Sequence, residues 1–150
     1  MAVRVQAGDF DIGAEVAGLV AGDTDIGAVV TFTGTVRGDA NGESIVAMEL
    51  EHYPGMTEAE LERIEAEATA RWPLQRSLVI HRYGPLAPGE NIVLVVTASR
   101  HRQAAFEAAA FLMDFLKTRA PFWKKETRAD GSGGWVDARV TDDDALARWS

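Results

Sequence analysis

The sequence predicts an α+β fold built mainly on antiparallel sheet, with two principal helices in one domain spanning residues 1–150. Three observations predict it. Strand-like and helix-like segments are mixed along the chain, the strands fall into hairpin-like pairs, and two segments have the length and apolar stripe of a substantial helix.

Taken in order, residues 3–6 read as a short strand and Ile12–Val20 as a short helix ending near Gly22. Residues 27–36 (GAVVTFTGTV) are rich in β-branched side chains and alternate, with Val30, Phe32, Gly34 and Val36 on one face. A glycine inside such a strand, here Gly34, signals a bulge or a close backbone approach. Residues 38–43, with Asn41-Gly42, make a polar turn or mobile loop and are a candidate lid. Residues 45–52 form the next strand, placing Met48, Leu50 and His52 on one side and Glu49 and Glu51 on the solvated other.

Pro54-Gly55 breaks that strand. Thr57 followed by Glu60 is a capping-box pattern, opening a helix to about Trp72. Its stripe is Leu61, Ile64, Ala68 and Trp72, with Glu58, Glu62 and Glu65 largely outside it. Residues 78–83 and 92–98 are strands joined by a turn over 84–89. A helix from about Arg102 to Thr118 is apolar over most of its surface, hence largely buried, and Pro121 bars it from continuing. Phe122–Arg128 and residues 135–140 look like a hairpin about the GSGG turn, and residues 142–149 like an acidic helical tail.

Composition narrows the function. A hydrophobic content of 47% is that of an ordinary globular protein, and 150 residues suffice to bury a core. No apolar run approaches a membrane span and the N-terminus lacks a signal-peptide layout, so a cytoplasmic protein is expected. With no cysteine, the chain has no disulfide, no Cys-based metal site and no thiol nucleophile or sulfur carrier of its own. The net charge of −8 argues against wrapping nucleic acid. That charge is uneven. Residues 97–128 hold seven Lys/Arg against three Asp/Glu, while the remainder holds eight against twenty. A small basic locus in an acidic body suits a small anionic ligand.

Within that locus lie all three lysines, Lys117, Lys124 and Lys125, in the segment LKTRAPFWKKE, whereas twelve arginines are scattered. Arginine stays charged and grips planar anions; a partly buried lysine can lose its proton and act as acid, base or nucleophile. The segment is therefore a candidate active site. On spacing alone another reading stays open, with Lys117 complementing a helix C-terminus and Lys124/Lys125 facing solvent on an edge strand. Alternation puts Lys124, Glu126 and Arg128 on one strand face and Trp123, Lys125 and Thr127 on the other, so Glu126 could orient Lys124.

At the other end of the buried helix stand Ser99-Arg100-His101-Arg102. Cations there oppose the helix macrodipole, so helix stability does not explain them; with free backbone N–H groups they suit an anion, phosphate above all. His101 could instead be a capping or core-edge histidine. The two basic clusters are about 24 Å apart along one helix and meet within a single chain only if the fold bends sharply. A homodimer would bring His101/Arg102 of one chain to Lys117/Lys124 of another. Arg37, at a strand end, is a further exposed cation. No P-loop, HExxH, GxSxG or strand-linked GxGxxG is present, and the histidines His52, His81 and His101 lack metal-ligand spacing.

The stretches FTGTVR (32–37), LEHYPGMTEAEL (50–61), IHRYGPLAPGE (80–90), SRHRQAAFEA (99–108), LKTRAPFWKKE (116–126) and GWVDAR (134–139) together resemble the large, catalytic subunit of molybdopterin synthase. The resemblance runs in order over nearly the whole chain. It implies a hammerhead-like α/β arrangement and conversion of cyclic pyranopterin monophosphate into molybdopterin by installing a dithiolene, without a cofactor or metal in this subunit. Sulfur would arrive as a thiocarboxylate on the C-terminal Gly of a small ubiquitin-like partner, around a central homodimer of the large subunit. The resemblance makes Lys117 and Lys124 catalytic, and lines the substrate pocket with Arg37, His101, Arg102, Lys125 and Glu126, Thr35 and Val36 lying beside Arg37. Two other classes remain: a non-catalytic module that binds a ubiquitin-like tail, and a small acyl or phosphoryl transferase acting without a protein partner.

Overall fold

The computed structural model describes residues 2–40, 42–136 and 140–149. In chain order the elements are β1 (Ala2–Gln6), α1 (Ile12–Val20), β2 (Ala28–Thr35), β3 (Asp39–Ala40), β4 (Glu43–His52), α2 (Met56–Arg71) and β5 (Leu74–Arg82). There follow β6 (Gly84–Leu86), β7 (Asn91–Ser99), α3 (Arg102–Thr118), β8 (Phe122–Arg128), β9 (Gly133–Val136) and α4 (Val140–Ala147). The fold is α+β with predominantly antiparallel sheet, as the sequence predicts. One sheet has the order β1-β5-β7-β2, with β1 parallel to β5 and the rest antiparallel. The other runs β3-β4-β8-β9, with β6 also paired to β4. No helix among the described residues is long and apolar enough to cross a membrane.

The first sheet is covered on both faces, which is why β7 and the middle of β5, Leu78 to Ile80, read as unbroken apolar runs. Val79, Val93 and Val95 pack against Leu61, Ile64 and Ala68 of α2 and Leu112 and Phe115 of α3. The alternate residues Leu78, Ile80, Leu94 and Val96 meet Phe10 and the apolar side of α1. Burying such a Val or Leu side chain is worth about 1.5–3 kcal/mol. A third cluster, Val36, Met48, Leu50 and Leu86, closes the inner face of the second sheet. Gly34 sits at a register shift, and a Cβ there would lie 2.8 Å from a Val93 methyl, so both readings of that glycine hold.

Five local expectations change. The cap of α2 is Gly55, whose N–H donates to Glu58 at 2.5 Å; Thr57 is instead buried, its hydroxyl donating to the Tyr53 carbonyl at 2.8 Å. Glu65 lies inside the packed face because Ser77 donates to its carboxylate at 2.7 Å, and burial pushes its pKa up. The connection over 84–89 is more than a turn, since Gly84–Leu86 leaves the first sheet to pair with β4. Of the two readings of 38–43, turn or loop, the pairing of residues 39–40 with 43–44 as a hairpin agrees with the turn and replaces the open loop. Finally, β9 starts at Gly133, within the expected GSGG turn, where it pairs with Thr127 and where a Cβ would lie 2.2 Å from the Glu126 carbonyl. The expected strand beyond Val136 runs into residues 137–139, outside the described residues, and the helical tail begins at Val140.

Candidate active site

The buried helix sets the scale. α3 is continuous over 17 residues, so its ends are separated by about 24 Å at 1.5 Å per residue. It follows β7 and packs back along β7 and β2. β2 runs antiparallel to β7, with Ala28 opposite Ser99 and Thr35 opposite Asn91. Thr35, Val36 and Arg37 therefore lie at the Lys117 end of α3, while His101 and Arg102 lie at the other.

At the Lys117 end the polypeptide turns through Pro121 into β8, and an aromatic stack fixes that turn. The His81 ring lies on Phe122 with centroids 3.7 Å apart and planes inclined 17°. Its Nδ1–H donates to the Arg82 carbonyl at 2.8 Å, since a carbonyl can only accept. Burial chiefly, with added repulsion from Lys117 and His52, holds the His81 pKa down to about 4 despite that hydrogen bond. The ring is thus uncharged at neutral pH. His52 packs beside it, 4.5 Å from Tyr83 and 6.0 Å from Phe122 between centroids. Because the Thr57 hydroxyl spends its proton on Tyr53, the His52 Nδ1–H donates to Thr57 Oγ1, 3.1 Å away.

Lys124 shares a strand face with Phe122. In the register of β8 against β4, Phe122 stands opposite His52, Lys124 opposite Leu50 and Glu126 opposite Met48. Leu50 and Met48 are buried with Val36, so Lys124, Glu126 and the Val36–Arg37 segment border one apolar floor. Lys117 is exposed above the same region, close enough for its charge to act on His81. Among the described residues no ion pair joins Lys124 to Glu126, so the carboxylate shares the face without gripping the amine. Lys125 points the other way, opposite Glu49 and Trp135 on the outer face of the sheet. That face carries a shallow groove of about 340 Å³ lined by Glu51, His52, Tyr53, Trp123 and Trp135.

At the far end, His101 occupies the N-cap of α3 but its side chain makes no cap hydrogen bond, which removes the capping role. His101 and Arg102 are both exposed, and neighbouring Arg100 pairs with Asp25 at 3.2 Å. The structure thus gathers Thr35, Val36, Arg37, Lys117, Lys124 and Glu126 at one end of the chain and leaves His101 and Arg102 at the other. Sequence reasoning passed over His81, Phe122 and His52. A histidine embedded in the apolar run of β5 was the available signal.

The MoaE protein family matches residues 5–119. The chain is also 65% identical over 148 residues to the molybdopterin synthase catalytic subunit of Mesorhizobium japonicum, covering 98% of this chain and 92% of that one. It belongs to the MoaE family. It is accordingly an enzyme, of the class named molybdopterin synthase. The MoaE protein of Burkholderia ambifaria has the same structure, with a TM-score of 0.84 and 56% identity over 99% of this chain and 98% of that one. At 20% identity and a TM-score of 0.71, over 91% of each chain, the fold also matches a chain in the complex of subunits 1 and 2 of molybdopterin-converting factor from Helicobacter pylori.

Proposed function

We propose that this chain converts cyclic pyranopterin monophosphate into molybdopterin in the cytoplasm, taking sulfur from the C-terminal thiocarboxylate of a small ubiquitin-like subunit. The observation that supports the reading is the neutral His81–Phe122 stack, with Lys117 near enough for its charge to act on His81 and Lys124 two residues beyond Phe122 on β8. A chain without cysteine needs its sulfur from outside, and a relative's fold occurs in a two-subunit complex.

Lys117 stands nearest the incoming thiocarboxylate. It stabilises negative charge as sulfur attacks the pterin side chain and carries a proton in the exchange. Lys124 positions the substrate and balances its anionic oxygens, with Glu126 setting the local charge. Arg37, flanked by Thr35 and Val36, and His101 with Arg102 bind the phosphate and pterin oxygens. Since those groups sit at opposite ends of a helix of about 24 Å, one site draws on two copies of the chain in a homodimer. Two sulfurs require two partner tails in succession, with the half-sulfurated intermediate retained between them. Lys125, which the resemblance also places in the pocket, lies on the outer face and contributes least.

A single-turnover assay with thiocarboxylated small subunit and pterin precursor tests this. Dithiolene product is expected from the wild type and almost none from Lys117→Ala. A Lys117→Ala protein that kept wild-type turnover would end this assignment of roles. A wild type that binds the partner yet makes no product would leave only a tail-binding module.

A further inference from the structure

We propose that Arg148 and Trp149 are positioning residues for Lys117: they hold the Asp114 carboxylate, one helical turn before it, so that the carboxylate does not bind the lysine amine. The inference rests on the reading above that Lys117 does the chemistry.

Asp114 and Lys117 are three residues apart on α3, a spacing at which an acidic and a basic side chain pair along a helix. The Asp114 carboxylate is turned to other donors. Its Oδ2 accepts from Arg148 Nη2 at 2.7 Å, from Arg148 Nε at 3.2 Å and from the Trp149 indole N–H at 2.6 Å. Aromatic packing fixes those donors in place. The Trp149 ring meets Trp72 and Phe111 edge to face, with centroids 5.5 and 5.7 Å away, and the Arg148 guanidinium lies over it at 4.8 Å. The Trp149 carbonyl accepts from Arg71 at 2.7 Å, which fastens the residue to α2 as well as to α3.

Packing alone does not call for this arrangement. A ring without an N–H would fill the space of Trp149, and Arg148 is 56% exposed, where an ion pair adds little to stability. What the donors supply is neutralisation of a carboxylate that is only 17% exposed and lies beside the reacting amine. Without Arg148, the nearest cation on α3 is Lys117, because Arg71 is already engaged by Glu67 at 3.0 Å and by the Trp149 carbonyl. Asp114 would then hold the amine protonated and draw it along the helix, away from β8.

The chain has three lysines, so amine acetylation reads Lys117 directly, with Lys124 and Lys125 as internal standards. Wild type, Arg148→Ala, Asp114→Asn and the double variant are labelled briefly with N-hydroxysuccinimidyl acetate at one pH, and the Lys117 peptide is quantified by mass spectrometry. His81, the titratable group of β5 that acts on Lys117, is the same in all four. In Arg148→Ala, labelling of Lys117 relative to Lys124 should fall about two- to tenfold, between the worth of an exposed helical pair and that of a charge-assisted hydrogen bond. Asp114→Asn alone and the double variant should both match wild type. Single-turnover formation of dithiolene should follow the same order. Unchanged Lys117 labelling in Arg148→Ala overturns the proposal, and so does a fall that Asp114→Asn fails to rescue, since a purely structural loss would behave that way. The reaction is read separately: labelling in the expected order from a protein that makes no dithiolene product keeps the clamp on Asp114 and removes the proposed chemistry.

Discussion

The two ends of α3 are both basic and are built on opposite principles. At Lys117 the surroundings are packed, with a buried neutral histidine stacked on Phe122 and an apolar floor of Val36, Met48 and Leu50. At His101 and Arg102 the side chains are exposed, make no cap and face the positive end of the helix macrodipole. The first end is organised before any ligand arrives. The second is tolerated rather than stabilised by its own chain, which is what a group borrowed by a neighbouring copy looks like. In the proposed function the packed end does the chemistry and the exposed one captures the anion.

The sharpest way to break that comparison is to remove one residue from each end. Lys117→Ala should lower single-turnover rate by about 10²–10⁴, the range for losing an acid–base or charge-stabilising group. Arg102→Ala should act mainly on substrate affinity, raising KM roughly ten- to hundredfold, as expected for a charged hydrogen bond to phosphate. Mixing the two variants, allowing exchange and assaying at substrate far below the raised KM should restore activity to about a quarter of wild type, since each mixed dimer holds one intact site. No recovery on mixing, with exchange verified, would mean each site is made by one chain.

A smaller effect concerns the stack that organises the packed end. His81 titrates near 4 in the folded protein and near its ordinary 6.5 when unfolded. The unfolded chain therefore binds the extra proton between those values, so stability is full above pH 6.5 and is lost as pH falls towards 4. The loss from this group approaches about 3 kcal/mol, at 1.36 kcal/mol per pH unit. Urea denaturation at pH 7 and pH 4.5 measures it. His81→Phe, which keeps the stack and cannot titrate, should flatten that part of the profile; an unchanged slope would remove His81 as its source.

What the sequence made legible follows from which physics is local. The strands β4 and β8 were readable because alternation of Met48 and Leu50, or of Lys124 and Lys125, is a local pattern that the sheet preserves. The separation of the two basic clusters was readable because the rise of a helix is constant. The burial of Glu65 was not, since its partner Ser77 comes from β5 and no helical periodicity announces it. Gly84–Leu86 looked like a turn because its pairing with β4 joins strands more than thirty residues apart. The His81–Phe122 stack likewise exists only once β5 and β8 are side by side.

The smallest expected effect separates the two adjacent lysines of β8. Lys124 and Lys125 are neighbours in sequence but face opposite sides of the sheet, Lys124 towards Leu50 and Lys125 towards Glu49 and Trp135. An ammonium on the outer face reaches substrate on the inner side only around the strand edge, and Glu49 offers it a nearer counter-charge. Exposed pairs of that kind are worth about 0.2–1 kcal/mol, so removing the amine costs little fold stability. Lys125→Ala should therefore change turnover by about threefold or less, whereas Lys124→Ala should approach the loss seen for Lys117→Ala. Equal losses at the two positions, in proteins of unchanged melting temperature, would show that the outer face also meets substrate. Lys125 would then have to be supplied to the site of the other copy or to the partner tail, and the division into one packed and one borrowed end would need a third contributor.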